Sequence, residues 1–307
     1  MGWKAYLLVY KAKSPIHIGW HTLGYIELTR YYITGKAMWG AFTANLTRAR
    51  EENNTEAYQK YGELFKEDVL LSYFYPALDS DIPLLPKFTD KGLEYGECSK
   101  SEFESLFIKS YSRTAVLPGS NTAEDESLHE SEFIAPCVGD KQSPVYFVGY
   151  IFIKDGAKTR DNESVGWDSE NVQLKGALSE IFVGGDRKYG WGKLSLVDMG
   201  KTREVIDSKF FGIDLILNDT DVKIELNEEQ YIPAHLVKDD LKLKGNIEFL
   251  VGREWGTIKI LKNKSEETHS GFGQKISKAE ICWAPGSVMP KQNNLTIGTF
   301  GILKGSL

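Results

Sequence analysis

The chain has 307 residues, enough for two domains with a sizeable core, so no disulfide or metal staple is needed for stability. It is 41% hydrophobic and 26% charged, and its three cysteines, Cys98, Cys137 and Cys282, lie far apart with no Cys-x-x-Cys pair, which argues against a zinc site and for reduced thiols in a reducing cytoplasm. A net charge of −6 and a pI near 5.6 exclude a generally basic nucleic-acid binder, so any such binding has to rest on local basic segments.

Residues 3–10 read as a strand, and the apolar run is too short for a signal peptide. No stretch reaches the apolar length of a membrane span, so no membrane partner is expected. Pro15 and Gly19 punctuate the chain, with His17 between them. A helix is expected from the N-cap Thr34, with Met38, Ala41, Phe42 and Leu46 as one apolar stripe and Arg48 and Arg50 near its end. It closes at Glu51-Glu52-Asn53-Asn54, and a second helix is expected over 56–70. Residues 77–103, rich in Pro, Asp, Gly and Lys, read as an irregular insertion, and 118–131 as a mobile acidic surface loop.

Val145 to Ile153 is the clearest strand; a disorder-prone stretch at 155–169, a helix over 171–181 and a last strand from Lys193 to Val197 follow. Strand, helix, strand, strand, helix, strand is the order of an α+β, ferredoxin-like (RRM-like) unit carrying inserted loops. Beyond residue 200 strand-like runs recur at 211–217, 247–251, 257–261, 279–284 and 296–303. The division expected is therefore an N-terminal domain over 1–200 and a second, strand-rich domain over 201–307.

The segment richest in chemistry is Gly184-Gly185-Asp186-Arg187-Lys188-Tyr189-Gly190-Trp191-Gly192-Lys193. Glycines let backbone approach a ligand, Arg187, Lys188 and Lys193 suit phosphates, and Tyr189 or Trp191 suits stacking on bases. The spacing is neither a Walker A loop nor a dinucleotide fingerprint, and a glycine turn with a solvated charged tip stays open as an alternative. Gly35-Lys36 at a helix start suits an anion, or simply a capped helix with an exposed lysine.

Taken in order, these segments resemble the RAMP (repeat-associated mysterious protein) superfamily of CRISPR-Cas effector subunits. Its members open with a strand ending in a Pro-x-His-x-Gly-like turn, here Pro15-Ile16-His17-Ile18-Gly19. A helix then follows a motif that stands here as Ile33-Thr34-Gly35-Lys36-Ala37-Met38-Trp39-Gly40-Ala41, and a glycine-rich loop precedes the last strand, here Gly184 through Gly192. The stretches Tyr61–Pro76 and Arg113–Phe133 are weaker echoes, the latter where many members insert a thumb-like hairpin. The resemblance covers residues 3–199. It implies tandem ferredoxin-like domains of a type III effector complex in antiviral defence, with guide RNA and/or target RNA and other effector subunits as partners. The residues expected to touch RNA are Arg187, Lys188, Lys193 and Lys36, then Arg30 and Arg113, with the loop's glycines and aromatics and Gly35.

Target-cleaving members carry an aspartate after the first glycine turn. The matching stretch, Gly19 to Arg30, holds only Glu27 as a carboxylate, and the histidines near it are His17 and His21. No catalytic residue, metal or cofactor is therefore expected. Three readings follow: an RNA-holding structural subunit without catalysis, an endoribonuclease of guide precursor or target using His17, His21 or Glu27, and a protein-only assembly module.

Overall fold

The computed structural model describes residues 2–51, 54–79, 82–198, 200–262 and 265–305. The first strand, β1 (Trp3–Ala12), is buried on both sides, with Leu8, Tyr10 and Ala12 in one apolar core and Trp3, Ala5, Leu7 and Val9 in another. A hairpin of β2 (Gly19–Leu23) and β3 (Ile26–Thr29) leads to α1 (Gly35–Ala49). Thr34 caps that helix by accepting from the Ala37 amide, and Met38, Ala41, Phe42 and Leu46 are all buried. Of the segment read as closing α1, Glu52 and Asn53 lie outside the described residues.

Asn54 caps α2 (Thr55–Glu67), which ends short of residue 70. Val69-Leu70-Leu71 is wholly buried, so the chain leaves the helix to form β4 (Val69–Leu71) against Ile151–Ile153. The segment 77–103 is more regular than its composition suggests. Pro86–Thr89 pairs with Gly92–Tyr95, and Ser99 and Glu102 form a capping box that starts α3 (Lys100–Phe107), whose Phe103 and Phe107 are buried. Next, β5 (Ile108–Arg113) pairs with β6 (His129–Ile134), so residues 129–131 of the expected loop are strand. β6 also lies parallel to β3, closing a sheet in the order β2–β3–β6–β5.

The long strand β7 (Tyr146–Lys154) pairs with β1 along its length. The helix read over 171–181 shrinks to Leu174–Ala177. Val172 and Gln173 pair with Val165 and Gly166 instead, Gly176 weakens the helix interior, and Glu180–Phe182 becomes strand β8. β8 pairs with β9 (Lys193–Leu196), and the central sheet runs β8–β9–β1–β7–β4 with every neighbour antiparallel. Helices α1 and α2 cover one face.

The other face is covered by the C-terminal sheet. That sheet has eight strands and begins at Lys209–Phe210; its two outermost strands at the far edge are β10 (Ile247–Lys262) and β11 (Ser265–Trp283). The runs read as separate strands at 247–251 and 257–261 are one strand, β10. Phe210, Leu215, Val222 and Ile224 pack against Val9, Val148, Tyr150 and Phe152, burying a continuous core between the two sheets. Arg203 and Glu204 still pair with β1, at Leu7 and Tyr6. The molecule is thus α+β with strands in the majority, and among the described residues no helix is long and apolar enough to cross a membrane.

Candidate nucleic-acid interface

The glycine-rich loop joins β8 to β9 and sits on the Pro15–Gly19 turn. Gly184 has φ +79°, and a Cβ there would strike the His17 carbonyl; Gly192 has φ +86°, and a Cβ there would strike the Val183 carbonyl. Both positions need glycine for conformation and for close approach. The Gly185 amide donates to the His17 carbonyl (2.9 Å) and the Gly192 amide to the Pro15 carbonyl (2.8 Å). Two motifs over 160 residues apart are therefore tied through backbone into one ledge.

Between those anchors the chain turns through a left-handed Asp186, a short 3-10 turn over Arg187–Tyr189 and a left-handed Gly190. This turn lifts Arg187 and Lys188 into solvent, and neither forms an ion pair among the described residues. Tyr189 is 67% exposed. Its ring is held from behind by the Arg113 guanidinium, 4.5 Å from the ring centre. Trp191 folds inward onto Phe133, with ring centres 4.9 Å apart.

The other expected RNA contacts are engaged within the protein. Arg113 pairs with Asp186 (2.8 Å) and donates to Ser131 Oγ (3.0 Å), which in turn donates to Glu27 Oε2 (3.0 Å). Lys193 pairs with Glu180 (3.0 Å) at a half-exposed site. Gly35 is needed because a Cβ there would strike the Phe300 carbonyl, so the C-terminal segment closes over the start of α1. Lys36 Nζ lies 4.1 Å from both the Trp39 and Phe300 ring centres and pairs with Glu254 (2.7 Å). Burial brings its pKa down to about 8, against the pull of Glu254. Arg30 grips Glu248 with both terminal guanidinium nitrogens.

Glu248 and Glu254 come from β10, and nothing near Arg30 or Lys36 in sequence announces them. Burial alone would raise both carboxyls, but Arg30 and His235 around Glu248, and Lys36 and Lys66 around Glu254, hold each at about 2. His235, which carries no local signal in the sequence, is fully buried between the Tyr73 hydroxyl (2.8 Å) and Glu248 (3.0 Å), and burial lowers its pKa. Trp20, 44% exposed, is a further aromatic beside the ledge, its ring tilted against His21 with ring centres 4.6 Å apart.

The candidate acid–base residues do converge. His17, His21 and Glu27 line one cleft of about 510 Å³ together with Gly185 and Asp186. His17 is nearly buried; its Nδ1 lies 2.6 Å from the Glu132 carbonyl, which fixes that nitrogen as the donor and turns the ring's other edge toward the glycine loop. A second cleft, of about 730 Å³, runs from Gly184 and Gly185 past Trp20 and His21 to Arg30, Lys36 and the 247–252 edge of β10. Among the described residues no group of three His, Cys, Asp or Glu side chains is placed to hold a metal ion.

No protein-family model matches the chain, and no curated protein matches it. Among solved structures it is similar to a chain of the type III-B Cmr-beta bound to cognate target RNA and AMPPnP, with a TM-score of 0.48 and 9% identity over 92% of this chain and 85% of that one. A chain of the Cmr-beta bound to cognate target RNA gives a TM-score of 0.41 and 11% identity over 65% and 96%. A chain of the apo Cmr-beta gives 0.39 and 9% over 67% and 98%.

Proposed function

We propose that the chain is an RNA-binding structural subunit of a type III CRISPR-Cas effector complex, holding guide RNA and/or target RNA without cutting it. The observation that carries this reading is the tip of the glycine-rich loop. Arg187 and Lys188, cations without an ion-pair partner among the described residues, stand in solvent beside the exposed ring of Tyr189, on a ledge whose backbone is fixed by Gly184 and Gly192. Phosphates suit the two cations and a base suits the ring. The order of the central strands, with α1 and α2 after the first and the short Leu174–Ala177 helix before the last pair, supports reading 1–200 as a ferredoxin-like RAMP domain, with 201–307 as a second domain. The open sheet face that such folds use for RNA is filled here by the C-terminal sheet, which moves the interface to the loops.

Binding of a labelled single-stranded RNA across a salt series tests this. Arg187→Glu/Lys188→Glu is expected to weaken binding and to lower the slope of log affinity on log salt by about 1.4, at about 0.7 for each phosphate that is no longer neutralised. An unchanged affinity and slope would turn the reading to a protein-only assembly module.

A second reading, endoribonucleolytic cleavage, is supported by the convergence of His17, His21 and Glu27 on one cleft. It predicts RNA cleavage by the wild type that His21→Ala removes; intact RNA after prolonged incubation would set it aside.

A further inference from the structure

A third cavity, of about 360 Å³, opens between the 29–32 segment, the Pro86–Tyr95 hairpin, the start of α3 and the 246–248 edge of the C-terminal sheet. Its walls are Trp20, Tyr31, Phe88 and Tyr95. Tyr31 and Tyr95 are held in place: Tyr31 lies 5.6 Å from Tyr95 and 5.5 Å from Phe103, ring centre to ring centre, and its hydroxyl is anchored on Glu104. At the floor, Arg30 and Glu248 neutralise each other, so the cavity favours a ligand without net charge. Asn246 lines it with an exposed side-chain amide that makes no hydrogen bond to the described residues, offering one donor group and one acceptor. Lys100, half-exposed and paired with Glu104 (3.5 Å), also lines the cavity.

An aromatic-walled slot with a neutral floor and a free amide edge is complementary to a nucleobase whose phosphate stays outside. Trp20, His21, Arg30, Ile247 and Glu248 line both this cavity and the cleft that reaches the glycine-rich ledge. We propose that the cavity takes one base turned out of the RNA strand that the ledge holds, stacked between Tyr31 and Trp20 and read by Asn246. This rests on the RNA-binding reading above and adds a place for a single unstacked base. The same chemistry would suit a free mononucleotide, and the experiment separates the two sources.

The test is photo-crosslinking of the full-length protein with single-stranded RNA carrying 4-thiouridine, with adducts mapped by peptide mass spectrometry and total binding measured in parallel. The expected result is an adduct on the peptides holding Trp20, Tyr31 or Tyr95. Asn246→Trp, at an exposed position on the cavity wall, fills the space and is expected to reduce that adduct about tenfold while total RNA binding is unchanged. Adducts confined to residues 187–193, or an Asn246→Trp yield equal to wild type, would overturn the cavity proposal and leave the ledge reading standing. Loss of the adduct on adding equimolar AMP, with RNA still bound, would overturn RNA as the occupant in favour of a free nucleotide. Absence of any RNA binding would overturn both readings together.

Discussion

Gly184 and Gly190 share a left-handed conformation yet stand in different surroundings. A Cβ at Gly184 meets the His17 carbonyl, whereas one at Gly190 meets nothing within 4 Å. Gly190→Ala therefore carries only the conformational cost, about 1 kcal/mol, and Gly184→Ala adds displacement of the turn beneath, for about 1–3 kcal/mol in all. Thermal melts are expected to place Gly184→Ala below Gly190→Ala, with RNA affinity falling in the former; equal melting temperatures would show that the ledge is not braced by this contact. At this scale the sequence was readable where partners are local. Thr34, the apolar stripe of α1 and the clustered glycines each announce their role by spacing. Arg30 and Lys36 were not readable, because the carboxylates that occupy them lie 218 residues away in the chain.

The elements that escaped the sequence pattern did so because pairing overrode propensity. Val69–Leu71 has the apolar content to extend a helix, but the central sheet takes it as an edge strand. Residues 172–173 and 180–182 leave their helical window for the same reason. The hairpin of β10 and β11 is the element with the clearest electrostatic signature, since its Glu248 and Glu254 hold Arg30, Lys36 and Lys66. Both carboxyls ionise more readily in the folded chain, at about 2 against 4.5 in the unfolded chain. Their contribution is therefore complete above pH 4.5 and is lost as the pH falls from 4.5 through 2. Trp39, beside Lys36, provides the probe. A fluorescence titration is expected to show a transition in that window that Glu254→Gln flattens; superimposable curves would mean that Glu254 does not hold the hairpin. His235 acts in the same direction but begins higher. Its pKa is lowered by burial from 6.5, so the unfolded chain takes up the proton first and stability declines as the pH falls below 6.5. Melting temperature against pH is expected to slope less over that range in His235→Gln than in wild type, and equal slopes would remove His235 from the account.

For the whole molecule, the governing fact is that the central sheet has no free face. β1 hints at this in its sequence, because Leu7-Leu8-Val9-Tyr10 is apolar without alternation, the pattern of a strand covered on both sides. What the pattern leaves open is the identity of the cover, since the C-terminal strands that supply it are separated from β1 by some two hundred residues and look, one by one, like any half-buried strand. The consequence is a dependence of the central sheet on the C-terminal strands. Without residues beyond 207, Trp3, Leu7, Val9, Val148, Tyr150 and Phe152 would lose the strands that cover them and face water as one apolar patch, a surface that drives association. A chain ending at residue 207 is thus expected to aggregate or to recover only as a mixture of large species by light scattering, while the full chain stays dispersed under the same conditions. Val9→Asp in the full chain tests the same interface from inside. It places an unpaired carboxylate where Val9 has no solvent contact, and is expected to cost about 3 kcal/mol or more, the scale of an uncompensated buried charge. A soluble, monomeric, natively folded 1–207 fragment would mean that the sheet face is self-sufficient. It would then be open in its own right, and the proposed RNA contact would move from the glycine-rich ledge to the sheet.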